Sequence, residues 1–229
     1  MFTSSFRVKS YVWITSFVLC DTDGYNHRDQ RRFPNEYLAM QIMSIVRKYQ
    51  PHYFVSDYQQ WEGEWELWFG TAVSMSPSPF GPHERAIAKF VAQIDASITK
   101  DGCACAVYAG LDWIVQENTV VRPDVMLVCG TQPTRYLESP PSLTIEVLSE
   151  STATKDLHAK RELYEEQKVE HYLIVDTAEL SIQWLALQSN GKFSDQSDSI
   201  ANDGKFSIEL RNGCVVHFDR NAAFFVMAF

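Results

Sequence analysis

Apolar residues recur at helical spacing in two early stretches of the chain. Across residues 34–48, Tyr37, Leu38, Ile42, Ile45 and Val46 fall on one helix face, with Pro34 opening the stretch and Pro51 beyond it. Residues 83–99 repeat the pattern with Ile87, Phe90, Val91, Ile94 and Ile98, so a second helix is predicted. Between them, residues 58–74 alternate tryptophans with acids and pass through Gly70, which predicts a hairpin-like strand pair. The prolines of residues 76–82 predict a loop. Apolar runs at 103–115, 120–129 and 143–148 read as strands, and residues 153–167 return to strong helix formers, with Ser149, Ser151 and Thr152 as available caps. A short strand at 171–175 stops at Asp176. The order is therefore helix, three strands, helix, strand. Beyond it, 180–187, 205–210 and 214–218 predict an antiparallel extension punctuated by Gly191, Gly204 and Gly213.

This succession predicts an α/β (α+β) fold on a mixed sheet. No linker or repeat divides it, so residues 34–229 read as one domain, with a core over 83–176 and a β extension over 177–229. Residues 1–33 form an arm, extended or poorly ordered. Within the arm, Arg7 and Lys9 precede a mostly apolar stretch at 11–20 that resembles a short signal h-region. Trp13, Thr15 and Ser16 interrupt it and no small-residue cleavage site follows, so a strand-like arm or a start codon set too far upstream is the preferred reading.

Composition narrows the function classes. A chain of 229 residues that is 45% hydrophobic can bury one sizeable core. A net charge of -9 and a pI near 5.1 argue against broad basic coating of nucleic acid, but not against a local phosphate site. The five cysteines have no zinc-ligand spacing, and reduced thiols in a cytoplasmic protein are expected. Cys103 and Cys105 are expected on one face of a strand rather than on a metal. No run approaches the roughly 18 apolar residues of a membrane helix, so no membrane partner is expected, nor an organic cofactor.

Two carboxylates stand where apolar strands leave little room for charge. Asp124 follows Arg122-Pro123 at the opening of the run 125–128, and Glu146 lies inside Leu143-Thr-Ile-Glu-Val-Leu148. A charge removed from water needs a partner. If the two strands are neighbours, both acids meet at one sheet edge, where magnesium, which takes oxygen ligands and often only one or two carboxylates, would suit them. Asp156, Lys160 and Tyr164 recur at intervals of four on one helix face. Side chains on a helix lean toward its N-terminus, so Lys160 can reach back to the strand ends and stabilise charge on a transferring phosphoryl group. A surface Asp–Lys pair over a packed Tyr164 is the alternative.

These segments, Val-Arg-Pro-Asp124-Val-Met-Leu-Val, Pro141-Ser-Leu-Thr-Ile-Glu146-Val-Leu-Ser149, Asp156-x-x-x-Lys160-x-x-x-Tyr164 and Val169-Glu-His-Tyr-Leu-Ile-Val-Asp176, resemble the PD-(D/E)XK nuclease superfamily and more closely its Uma-two branch of restriction-endonuclease-like proteins. The resemblance implies a restriction-endonuclease-like core and a metal-dependent endonuclease acting on DNA as a homodimer. It implies that Asp124, Glu146 and the backbone carbonyl of Val147 hold Mg2+ or Mn2+, with Lys160 catalytic and Asp156 and Tyr164 supporting. The superfamily lysine stands two residues after the second acid, where this chain has Leu148; the branch moves the amine to the following helix. Upstream, Glu66-Leu-Trp-Phe-Gly70 resembles the branch's Glu-Leu-x-Asp-Gly, with Phe69 in place of the Asp and Thr71 in place of a usual acid.

Glu66 then reads as a third acid or as a solvent-facing residue beside Glu62 and Glu64. His83 matches a histidine at the start of the branch's first core helix, or caps and packs locally. Trp61, Trp65 and Trp68 read as core or interface before base stacking. The other function carried forward is a nuclease-fold protein that binds nucleic acid or a protein partner without cutting. It is motivated by the acidic charge, the departures at Phe69 and Thr71, and the lack of a DNA-reading motif.

Overall fold

The structure is a computed structural model that describes residues 51–75, 80–148 and 155–224, with the backbone alone at Lys155 and Asp156. The arm 1–33, the helix expected at 34–48 and the caps Ser149, Ser151 and Thr152 lie outside the described residues. Every described residue lies in the unit Pro51–Phe229.

It opens with a single helical turn, α1 (Val55–Tyr58), followed by the hairpin β1 (Trp65–Trp68) and β2 (Thr71–Ser74). Phe69 and Gly70 turn the hairpin, both with positive φ, and glycine adopts that conformation without steric cost. Helix α2 (Gly81–Lys100) starts earlier than the proline pattern predicts, because Gly81 and Pro82 occupy its first turn, where proline's missing N–H costs nothing. Strands β3 (Cys105–Ala109), β4 (Trp113–Gln116), β5 (Thr119–Val121), β6 (Val125–Cys129) and β7 (Leu143–Val147) follow. Next come α3 (Lys155–Glu166), β8 (His171–Asp176), β9 (Ser181–Leu187), β10 (Phe193–Asp195), β11 (Lys205–Glu209), β12 (Val215–Asp219) and α4 (Arg220–Phe224).

Two runs expected as single strands are each broken in two. Gly110, at positive φ, ends β3 before β4, and Arg122-Pro123-Asp124 separates β5 from β6. The break matters because the halves belong to different sheets. β4 and β5 join the hairpin in a four-stranded sheet of order β2-β1-β5-β4, whereas β3 and β6 belong to a six-stranded sheet of order β10-β9-β8-β7-β6-β3. In that larger sheet only β7 and β8 run parallel, and α3 is the crossover such a pair requires. The expected antiparallel extension divides as well: β9 continues the main sheet, while β11 and β12 pair with each other.

The central strands are apolar on both faces because both faces are covered. Val125, Leu127, Leu143, Ile145, Val147, Leu173 and Val175 pack with Phe90 and Ile94 of α2 and with Phe206, Ile208, Val216 and Phe218 of the β11–β12 pair. Met126, Val128, Tyr172 and Leu185 face the other way, against Leu163 and Tyr164 of α3 and Trp113 of β4.

The cysteines correct the expectation of reduced thiols. Cys103 is bonded to Cys214 and Cys105 to Cys129. Register accounts for the second pair, since Cys105 and Cys129 are direct cross-strand partners. The first ties the approach to β3 to the approach to β12, at a sequence separation of 111. Neither proximity is a matter of sequence spacing. No described helix is long and apolar enough to cross a membrane.

Candidate active site

Alternation along β7 puts Ile145 and Val147 toward α2 and leaves Glu146 facing α3. Pairing of Val125 with Ile145 brings Asp124, one residue before β6, across from Glu146. The two acids therefore meet at one end of adjacent strands. Asp124 Oδ2 accepts the backbone N–H of Val147 at 2.7 Å, so the first acid hangs on the strand that carries the second.

Lys160 stands in the second turn of α3 and donates to Glu146 Oε2 at 2.8 Å. Tyr164, one turn on and fully buried, donates its hydroxyl to Glu146 Oε1 at 2.6 Å. The helical spacing of four thus aims both groups at one carboxylate, and the surface-pair alternative for Lys160 does not hold, because its side chain is only 12% exposed. The side chain of Asp156 lies outside the described residues.

Glu66 reaches the same place from the four-stranded sheet. It is buried rather than solvent-facing, with Oε1 accepting the Arg122 N–H at 2.8 Å, Oε2 accepting the Trp68 indole N–H at 2.9 Å, and Lys160 Nζ at 3.7 Å. His83, in the first turn of α2, places Nε2 3.6 Å from Asp124 Oδ2. The structure thus gathers Glu66, His83, Asp124, Glu146, Val147, Lys160 and Tyr164. Trp61 and Trp65 pack with Tyr53 and Tyr58 around Leu67 and Val120, while Trp68 alone of the three bonds to a carboxylate, that of Glu66.

The electrostatics follow from burial. Loss of water pushes the Glu146 carboxyl up to about 7; Asp124 adds to the push, while Lys160 and Tyr164 oppose it. Burial works against the Lys160 ammonium too, but Glu146 and Glu66 outweigh it and hold the amine above its ordinary value. Burial and the adjoining Glu146 keep the Tyr164 phenol well above its usual range, so it stays protonated and donates. For His83, burial is outweighed by Asp124 and Glu84, which raise it.

Among the described residues no group of three or more His, Cys, Asp or Glu side chains converges as a metal cage. A cage is not what magnesium or manganese needs: two carboxylates with water and phosphate complete an octahedron. The carboxylate oxygens of Asp124 and Glu146 are donors of the kind such an ion takes, with the two oxygens of Glu146 shared with Lys160 and Tyr164.

A neighbouring network went unrecognised in the sequence. Arg122 donates from Nε to Asp112 Oδ1 at 2.6 Å and from an amino group to Glu64, and Tyr58 donates to Asp112 Oδ2 at 2.9 Å. The only hint was the arginine two residues before Asp124.

Residues 55–209 match the model of the Uma2 family, described as "Putative restriction endonuclease". A solved structure described as a "putative nuclease belonging to DUF820", from Anabaena variabilis, is 13% identical and superposes with a TM-score of 0.60 over 75% of this chain and 97% of that one. A DrdV–DNA complex is also 13% identical, with a TM-score of 0.26 over 48% of this chain and 12% of the other, and bears no weight for the fold. No curated protein matches the chain. The superposition with the Anabaena protein shows the expected restriction-endonuclease-like fold.

Proposed function

Since a chain matched over more than half its length by the Uma2 model belongs to that family of restriction-endonuclease-like proteins, we propose that this protein is a divalent-metal-dependent endonuclease that hydrolyses DNA phosphodiester bonds. The observation that carries the reading is the convergence of Asp124, Glu146 and Lys160 at one end of β6 and β7, with Lys160 Nζ 2.8 Å from Glu146.

Asp124, Glu146 and the Val147 carbonyl would hold Mg2+ or Mn2+. When bound, the ion polarises the scissile phosphate and lowers the pKa of a coordinated water. The protein's own groups do the rest. Val147 N–H fixes the Asp124 carboxylate, and Tyr164 orients Glu146 through a bond aimed at its ionised form. Lys160 stays protonated and offers a positive charge to the phosphate oxygens as negative charge develops on them. Glu66, anchored by Arg122 and Trp68, supplies a further carboxylate on the far side of Lys160.

Purified protein incubated with plasmid and Mg2+ or Mn2+ should nick or linearise it. Asp124→Asn and Lys160→Ala should each slow cleavage by about 10²-fold or more, the scale of losing one preorganised electrostatic contact. Equal rates in all three proteins would remove the assignment.

A second reading has its own observation. Both oxygens of Glu146 are already engaged, by Lys160 and Tyr164, and a carboxylate so occupied is a weaker metal ligand, which favours a nuclease-fold protein that binds nucleic acid or a partner without cutting. Calorimetry separates the two: no Mn2+ binding, even with DNA present, favours the silent protein. Homodimerisation belongs to the same proposal, and light scattering tests it. The disulfides argue against the cytoplasmic location expected with reduced thiols, and thiol alkylation in freshly lysed cells, where a reducing cytoplasm would leave the four cysteines open to label, tests that location.

A further inference from the structure

An arginine two residues from a metal-binding acid invites assignment to the substrate phosphate, but the contacts of Arg122 point elsewhere. Its side chain is 20% exposed, and its guanidinium is taken up by two carboxylates, Asp112 through Nε and Glu64 through an amino group. Two of its N–H donors are so engaged, and the two carboxylates more than offset its charge, which weakens its attraction for a phosphate. Its backbone meanwhile does something specific: the Arg122 N–H donates to Glu66 Oε1 at 2.8 Å.

The network ties segments that share no long ladder. Tyr58, at the end of α1, donates to Asp112 Oδ2 at 2.9 Å and lies 3.1 Å from the Trp65 carbonyl of β1. Asp112 precedes β4, Glu64 precedes β1, and Arg122 follows β5. All of these belong to the four-stranded sheet or its approaches. Only one further residue, Pro123, separates Arg122 from Asp124, and its ring fixes φ and restricts the residue before it. A displacement at Arg122 therefore passes to Asp124 with little slack. Glu66 is carried by the four-stranded sheet and Asp124 by the six-stranded one, and β1 meets β5 through the single register pair Leu67 and Val120. Toward the turn, Gly70 N–H donates to the Asn118 carbonyl at 2.8 Å and Phe69 N–H to Thr119 Oγ1 at 3.2 Å, whereas at the Glu66 end the bond between the two segments is the one from Arg122 N–H.

We propose that Arg122 is a positioning residue: its guanidinium, clamped between Asp112 and Glu64, fixes the Arg122 N–H on Glu66 and so sets the separation of Glu66 and Asp124 across the two sheets. The proposal rests on the nuclease reading for its consequence in catalysis, not for its geometry. Arg122→Lys keeps the charge and breaks the fork; Asp112→Asn keeps the shape and weakens the clamp.

Two measurements test it. By NMR, the residue-122 amide should exchange with solvent about tenfold faster in both variants than in the wild type, while amides of β7 keep their protection. In cleavage assays, kcat should fall by about tenfold or more with KM within about twofold, since small misplacements of reacting groups are costly. Unchanged exchange at residue 122 overturns the proposal whatever the cleavage result. A raised KM with an unchanged kcat also overturns it, because that makes the guanidinium a substrate contact. A wild-type protein that cuts nothing removes the nuclease reading alone, and the exchange data still decide the role of Arg122. If Arg122→Lys does not fold, Asp112→Asn carries both measurements.

Discussion

Glu146 is 6% exposed and held between an ammonium and a phenol. With its carboxyl pushed up to about 7, it is protonated below that pH and ionised above it. A metal needs the ionised form, so protons compete with the ion on the acid side. Mn2+ affinity measured by calorimetry should accordingly level off on the alkaline side and weaken by roughly tenfold per pH unit below the midpoint. Tyr164→Phe removes a hydrogen bond to the ionised carboxylate and should move that midpoint upward; an unmoved midpoint would show that the phenol does not tune Glu146. The strand acids were legible in the sequence because charge within apolar runs is conspicuous, and Lys160 through its spacing with Asp156 and Tyr164 and the resemblance to the Uma-two pattern. Arg122 was not, since nothing local to an Arg-Pro-Asp sequence says that Asp112 and Glu64 lie beside it.

Elements with a strong period were legible to within a few residues. Helix α2 declares itself through Phe90, Ile94 and Ile98, and β7 through an unbroken apolar run around Glu146. What failed was continuity. The runs around Gly110 and Pro123 look single because burial makes both halves apolar, and only pairing assigns the halves to different sheets. The β1–β2 hairpin was predicted through Gly70, and its backbone shows why: φ is +83°, and an added Cβ would lie 2.2 Å from the His52 ring. Gly70→Ala should cost about 1–2 kcal/mol or somewhat more, as left-handed backbone does for a residue with a Cβ. That corresponds to a melting temperature lower by roughly 2–8 °C in a chain of this size. An unshifted melting curve would mean that the turn relaxes.

Across the whole molecule, the disulfides Cys103–Cys214 and Cys105–Cys129 secure the edge strand β3, the first to the approach of β12 and the second to β6. Reduction should cost stability of about 2–4 kcal/mol for a bond closing so long a loop, read as a lower denaturation midpoint with dithiothreitol than without. Alkylation of the unreduced, denatured protein should leave these four cysteines unmodified; labelling of all five in the chain would refute the pairing. The sequence by itself determined the periodicities, and with them α2, the runs that hold β6 and β7, α3 and β8, the acidic charge, and the placement of Asp124, Glu146 and Lys160 on successive elements. These follow from local rules of burial and backbone geometry. Only the tertiary structure decided that β4 and β5 leave the main sheet, that Glu66 enters the site from that second sheet, and that Arg122 is occupied by Asp112 and Glu64. The first two and the Glu64 contact depend on pairing between residues distant in the chain, and Asp112, ten residues from Arg122, is placed by the pairing of β4 with β5; local propensity carries no record of which strand will be the neighbour.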